Sequence, residues 1–249
     1  MTVLDAELAK TWVSRWDTQQ ELYVADREER FAVIGDVVAH ALGDRGGTVL
    51  DLGCGPGSLA GRLAARLPAA KITGLDSDPL LLALGRGRYG DAVDFVDADL
   101  TGAAWLDQVP AVLDAAVSTT ALHWLDPGPL ADVYRALAQR LRPGGVFVDG
   151  DHFTLGDADL DELAVRVRQG RATRAGVTDH EDWDTWWQAV RDDPALAELL
   201  DQRSDRAIAH HGSNKLSVDH HRELLRAAGF SSAGTVWQSG DDHVLAAVR

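Results

Sequence analysis

The sequence predicts an α/β protein built on an open, mostly parallel sheet of seven strands with helices on both faces. Three observations predict it. Short apolar runs alternate with helical stretches between residues 45 and 150, one of those runs ends in three alternate glycines, and the chain closes on a helix and two strands. Short buried strands alternating with helices are the pattern of a parallel sheet covered on both sides. Right-handed crossovers then place the carboxyl ends of the strands, and with them the ligand crevice, along one rim.

Residues 5–42 read as mostly helical, with Phe31, Ile34, Val38 and Leu42 near helical spacing on one apolar stripe. Gly43, Gly46 and Gly47 end that pattern. Strands are expected at 48–52, 71–75, 93–96, 112–118 and 145–150, and helices at 58–67, 78–87, 102–107 and 128–141. After residue 150 the rhythm changes: 153–216 reads as helical and polar, with three tryptophans in the stretch 181–187. A helix near 217–228 and strands near 233–238 and 243–248 follow, joined by a hairpin turn at Ser239-Gly240-Asp241-Asp242. The expected organisation is a helical lid (1–44), a ligand-binding domain (45–152 and 217–249) and a helical cap inserted into it (153–216).

Composition narrows the partners. With 249 residues the chain can bury a core without staples. A formal net charge of −15, with lysine only at 10, 71 and 215 and no basic run, argues against nucleic acid and anionic membrane surfaces. Cys54 is the single cysteine, which excludes an intramolecular disulfide and a cysteine-rich metal site. The opening residues lack the apolar segment of a signal peptide, so a cytoplasmic setting is expected. Oligomeric state, monomer or homodimer, stays open.

The strongest motif runs from Val49 to Ser58, a buried strand entering Gly53, Gly55 and Gly57 and then a helix. Glycine tolerates positive φ and lets the backbone approach a ligand closely. The free N–H groups of a helix start favour electron-rich partners. Asp76 ends the next strand 25 positions after Asp51, beside Ser77, where a carboxylate can accept from both hydroxyls of a ribose. The glycine spacing is G-x-G-x-G rather than the dinucleotide G-x-G-x-x-G, which disfavours a nicotinamide oxidoreductase.

Asp51 to Gly57 resembles motif I of the class I S-adenosylmethionine-dependent methyltransferases. Asp76 matches that family's ribose-binding acid, and Asp97-Ala98-Asp99-Leu100 resembles its third motif. There, Asp99 would meet the adenine amino group and Leu100 its ring. Residues 114–118, ending at Ser118, resemble the fourth strand, and 141–145 the turn before the fifth. The resemblance implies a Rossmann-like class I fold with a C-terminal antiparallel hairpin, and S-adenosylmethionine as cofactor, with S-adenosylhomocysteine as product. It places Asp51, Gly53, Cys54, Gly55, Gly57, Asp76, Ser77, Asp99, Leu100, Ser118, His123 and Trp124 at the cofactor site. Ala121-Leu122-His123-Trp124 and the helical N-terminus are most similar to the branch containing trans-aconitate methyltransferase. Ser118-Thr119-Thr120-Ala121 departs from the N/D-P-P-Y/F signature of amino methylation on nucleic acid or protein glutamine.

Methyl transfer from a sulfonium asks a protein mainly for alignment and exclusion of water. A general base helps when the acceptor must lose a proton. His123, just after the fourth strand, is the first candidate, against a reading in which it bonds backbone while Trp124 packs on adenosine. His152 and His211 are further candidates. Adjacent histidines rarely share one metal and no cysteine assists the pairs His210–His211 and His220–His221, so no metal is expected, and His220 and His221 read as the solvated start of the final helix. Trp16, Tyr23, Arg27 and Arg30 fall on one side of the N-terminal helical segment, as a flap with an arginine for a carboxylate or as a docked helix. Trp183, Trp186 and Trp187 line an acceptor pocket or form the cap's own core. The expected reaction is O-methylation of a small molecule at a hydroxyl or carboxylate, with N-methylation open. Non-methyl chemistry on the same cofactor and a non-catalytic binding module are the alternatives.

Overall fold

The structure is a computed structural model that describes residues 4–206, 208 and 212–249. It opens with α1 (Ala6–Glu21) and α2 (Arg27–Leu42). Asp5 caps α1, its carboxylate accepting from the Glu7 and Leu8 amides at 3.0 and 3.1 Å. The expected single helical stretch thus breaks at 22–26, where no glycine or proline stands. The break is tertiary in origin. Asp26 precedes α2, but its carboxylate makes no cap and instead accepts from Arg171 Nε at 2.7 Å, from the cap segment.

The sheet elements follow as β1 (Gly47–Leu52), α3 (Ser58–Arg66), β2 (Ala70–Asp76), α4 (Pro79–Tyr89), β3 (Val93–Asp97), β4 (Leu113–Thr119), α5 (Pro127–Arg140) and β5 (Leu141–His152). The cap segment holds α6 (Ala158–Ala175), α7 (Trp183–Asp192) and α8 (Ala197–Ser204), and the chain ends with α9 (Val218–Ala228), β6 (Ser232–Ser239) and β7 (Asp242–Val248). The strand order is β3-β2-β1-β4-β5-β7-β6, and β7 alone runs against its neighbours. The fold is the Rossmann-like class I arrangement that the motifs imply. Where the order reverses, between β1 and β4, strand ends diverge and a crevice opens.

Each face of the sheet has its own core. Alternate residues of β1 divide between them: Leu50 and Leu52 pack with Tyr134, Phe147, Leu225 and Leu245, whereas Val49 packs with Phe31, Ile34, Val38, Leu59 and Val117. The helical stripe read in α2 therefore lies on the sheet. A third cluster joins Trp12 and Trp16 of α1 to Leu80 and Leu84 of α4 and to Trp186, Val190 and Leu199 of the cap segment. Burial of such apolar surface contributes roughly 25 cal/mol per Å².

One expected helix shrinks. Residues 102–107 give only a short 3₁₀ turn at Ala104–Asp107, because Gly102 sits at φ 91° and Pro110 follows closely. The inserted segment leaves and returns at neighbouring points, Thr154 and Ser217 bridging in parallel. Gly240, at φ 65°, makes the tight turn between β6 and β7.

Candidate active site

The glycine loop leaves β1 with Gly53, Gly55 and Gly57 all at positive φ, 65°, 54° and 83°. A side chain on Gly57 would meet the Phe95 ring at 2.7 Å, so this glycine serves close packing. One on Gly55 would meet nothing nearer than Trp16 at 3.8 Å, so Gly55 faces open space with its backbone bare. Its N–H donates to Asp76 Oδ2 at 2.8 Å, while Asp78 N–H donates to Oδ1 at 2.9 Å. Enclosure raises the Asp76 carboxyl to about 6, against the pull of these amides.

A cleft of about 900 Å³ opens over this loop, at the carboxyl ends of the strands. Gly53, Cys54, Gly55, Asp76, Ser77, Asp99, Leu100, His123 and Trp124 line it, as do Trp16, Tyr23, Arg27, Trp183 and His152. Asp99 is exposed at the end of β3 and accepts from the Thr101 amide at 2.7 Å. Cys54 is buried, which raises its thiol well above the ordinary range and leaves it a small packing residue.

Five residues assigned to the site from sequence stand behind the cleft wall. Asp51 is fully buried in β1, and burial pushes it up to about 8 against the pull of the Ala60 amide. Ser118 is buried and donates to the Leu52 carbonyl at 2.8 Å, stitching β4 to β1. Arg30 is no lid residue: it is fully buried and its Nε donates to Asp242 Oδ1 at 2.8 Å, on β7. Trp186 is fully buried against Trp12 and Trp16, a core residue rather than a pocket wall. Its neighbour Trp187 reaches the cleft instead. Gly57 likewise is turned away from the cleft, onto Phe95. His211 and His210 lie outside the described residues. His221 is buried rather than solvated, sharing a 2.7 Å hydrogen bond with the Tyr134 hydroxyl.

His123 sits on a short 3₁₀ turn at Leu122–Trp124. The turn is anchored from the end of the inserted segment: Asn214 N–H donates to the His123 carbonyl at 2.8 Å, and its side chain to the Leu125 carbonyl at 3.0 Å. Thr120, two residues before the turn, holds a φ of 50°, an unusual state for a β-branched residue. His123 Nδ1 lies 2.8 Å from Asp151 Oδ2.

Asp151, the partner of His123, was not singled out from the sequence. Burial alone would raise its carboxyl, but His123, then His152 and Arg30, hold it below the ordinary value. Asp149, two residues earlier on the same strand face, is fully buried without a hydrogen bond, and burial and the Asp151 charge raise it far up. Of the two acids, Asp149 keeps its proton and Asp151 is ionised. An ionised carboxylate only accepts, so His123 presents a protonated Nδ1 to it. Acids at alternate strand positions were a readable signal, since they share one face.

The methyltransferase-domain family matches residues 49–145. A trans-aconitate 2-methyltransferase of Methylobacterium nodulans is 32% identical over 184 residues, 70% of this chain and 68% of that protein. This chain belongs to the S-adenosylmethionine-dependent methyltransferase family. A trans-aconitate 2-methyltransferase of Azoarcus sp. (strain BH72) is 37% identical over 131 residues, 53% of this chain and 48% of its own length. The chain thus spans about half the length of that relative. Among solved structures, an O-methyltransferase family protein from Burkholderia thailandensis superposes with TM-score 0.56 at 16% identity, over 96% of this chain and 69% of that one. Human N-acetylserotonin methyltransferase, in complex with S-adenosylmethionine, gives TM-score 0.54 at 18% identity, over 96% and 57%. Those identities show the fold alone.

The residues present fit the family's cofactor, S-adenosylmethionine. Asp76 would offer two carboxylate oxygens to a ribose, Asp99 and Leu100 line the same cleft where an adenine would lie, and the open space at Gly55 would leave room for the amino-acid end. Arg203 of α8 donates to Asp78 at 2.6 Å, and Arg206 spans Asp97 and the Ser77 carbonyl at 2.7 and 3.0 Å. Neither arginine was singled out by the sequence. Together they fasten the end of the cap segment beside the adenosine side of the cleft.

Proposed function

We propose that the protein transfers the methyl group of S-adenosylmethionine to an oxygen of a small-molecule acceptor, with His123 as general base. The observation that carries this reading is the His123–Asp151 pair at 2.8 Å in the wall of the cleft that holds Gly55 and Asp76. The cofactor supplies an activated methyl cation equivalent. Asp76, Asp99 and Leu100 hold its adenosine, and Arg27 faces its carboxylate from the N-terminal helical pair.

The protein's part is alignment, dryness and one proton. Trp16 and Trp183, with ring centroids 5.3 Å apart, cover the glycine loop from above. With the cofactor held there, the acceptor oxygen would take the methyl group and the electron pair of the carbon–sulfur bond would stay with sulfur. The acceptor's proton passes to His123 Nε2, and Asp151 stabilises the imidazolium that forms. Such a base contributes typically ~10²–10⁴-fold. A hydroxyl acceptor uses this device, whereas a carboxylate, the acceptor that the names of the relatives point to, is already ionised.

The cap segment (153–216) sets acceptor choice in this reading, and residues 1–44 supply both a sheet-covering helix and the roof of the cleft. The test is mass spectrometry of an acceptor panel with S-adenosylmethionine. Methyl transfer gives a product heavier by one methyl with an equal amount of S-adenosylhomocysteine. Consumption of an acceptor without that mass gain contradicts it.

A further inference from the structure

The acceptor end of the cleft carries a charge pattern that the cofactor does not explain. Among the described residues lining it, Arg27 is the single arginine or lysine. Its Nη1 donates to Asp17 Oδ1 at 2.5 Å and its guanidinium lies 4.8 Å from the Phe31 ring centre, and what it still presents to the cleft is taken, in the proposed reaction, by the donor's carboxylate. Asp17 is itself shared with Ser58 at 2.6 Å and Arg62 at 3.2 Å. The two histidines of the lining are matched as well, His123 by Asp151 at 2.8 Å and His152 by Asp241 at 3.5 Å. Among the described residues, every cationic or protonatable base facing the cleft has an acid of this chain beside it.

The rest of the lining is aromatic or acidic. Trp16, Trp124, Trp183 and Trp187 form walls around the space above the glycine loop. Asp126 and Asp184, both exposed, stand at its mouth beside Trp124 and Trp183.

We infer that the acceptor is an uncharged, planar aromatic hydroxyl compound and not a polycarboxylate. The inference rests on the reading of the cleft as a methyl-transfer site. A carboxylate moved out of water into this cleft would find no uncommitted cation among the described residues and would meet like charges at the mouth, which disfavours its binding. The one arginine suits the one carboxylate that the donor brings. Flat indole faces favour offset or edge-on contact with another ring. A neutral aromatic hydroxyl also gives the His123–Asp151 pair a proton to take. The cleft's volume, about 900 Å³, is near the top of the range of roughly 300–1,000 Å³ for drug-sized sites, room for a donor and a small acceptor together.

The experiment is calorimetry on the full chain saturated with S-adenosylhomocysteine, using 2-naphthol, 2-naphthoate and trans-aconitate as probes. The two naphthalenes share a ring and differ in charge. The inference predicts that 2-naphthol binds, that 2-naphthoate binds at least about tenfold more weakly, and that trans-aconitate is weaker still. In Asp126→Asn/Asp184→Asn the gap between the naphthalenes narrows. Equal or tighter binding of either carboxylate, or no binding of 2-naphthol, overturns the inference while saturation by S-adenosylhomocysteine leaves the methyl-transfer reading standing. Failure of S-adenosylhomocysteine to bind overturns both.

Discussion

His123 Nδ1 and Asp151 Oδ2 lie 2.8 Å apart although one residue follows β4 and the other ends β5. Parallel pairing of these strands, with Ser118 beside Asp149 and Thr119 beside Gly150, brings their carboxyl ends to the same rim. The pair fixes which imidazole nitrogen carries the proton. In the proposed reaction it makes a loop histidine a directed base.

Removing either member therefore lowers turnover more than binding. His123→Ala is expected to reduce kcat by ~10²–10⁴-fold, with S-adenosylhomocysteine affinity changed by less than about threefold. Asp151→Asn reduces kcat in the same direction, and the acid limb of its pH–rate profile is altered. Steady-state kinetics across pH with calorimetry on each variant checks this. A kcat within about twofold of wild type in His123→Ala contradicts the assignment.

Cofactor affinity is expected to depend on pH through Asp76. Its carboxyl is raised to about 6, and a ribose is held by the ionised form. Ligand binding thus favours loss of the proton, so affinity is full above about pH 7 and falls as pH drops through 6. Below that value the slope approaches about tenfold per pH unit. Calorimetry with S-adenosylhomocysteine between pH 5 and 8 measures it, and Asp76→Asn removes the dependence along with most of the affinity.

The Arg30–Asp242 pair is a structural clamp. Arg30 also donates to the Gly150 carbonyl at 3.1 Å and to Thr119 at 3.2 Å, and Arg171 of α6 approaches Asp242 at 3.7 Å. Asp242→Asn leaves a buried guanidinium without its counter-charge and is expected to cost about 3–5 kcal/mol. Urea denaturation reads this directly. Since Arg30 is outside the cleft, folded Asp242→Asn protein binds S-adenosylhomocysteine as the wild type does.

His221 gives the fold an acid-sensitive point. Burial lowers its pKa from 6.5 to about 4, and it is held neutral against Tyr134. The unfolded chain binds the proton more readily, so stability is full above about pH 6.5 and is lost as pH falls toward 4. The loss is on the order of 3 kcal/mol. His221→Gln, which can keep a hydrogen bond to Tyr134 but does not titrate, flattens this segment of the stability–pH curve in chemical denaturation.

Much of this architecture was legible in the sequence because it is local. The strands around Asp51 and Asp76 announce themselves by short apolar runs, and the glycine turn by its spacing. What escaped depends on partners far along the chain. Arg30 read as a flap arginine because its counter-charge, Asp242, is 212 positions away. Trp183 and Trp186 are one helical turn apart, and only the docking of Trp12 and Trp16 decides which is core. The break at 22–26 needs Arg171 to claim Asp26. Asp151 needs the register of β5 against β4. Spacing identifies a face, and tertiary partners decide which face is inside.

The most direct test of the central claim is calorimetric titration of the purified chain with S-adenosylmethionine and S-adenosylhomocysteine, with NAD as control and Asp76→Ala as the second protein. Saturable binding of both sulfur ligands, no binding of NAD, and loss of binding in folded Asp76→Ala is the predicted result. A folded wild-type protein that binds neither sulfur ligand at millimolar concentration would contradict the account.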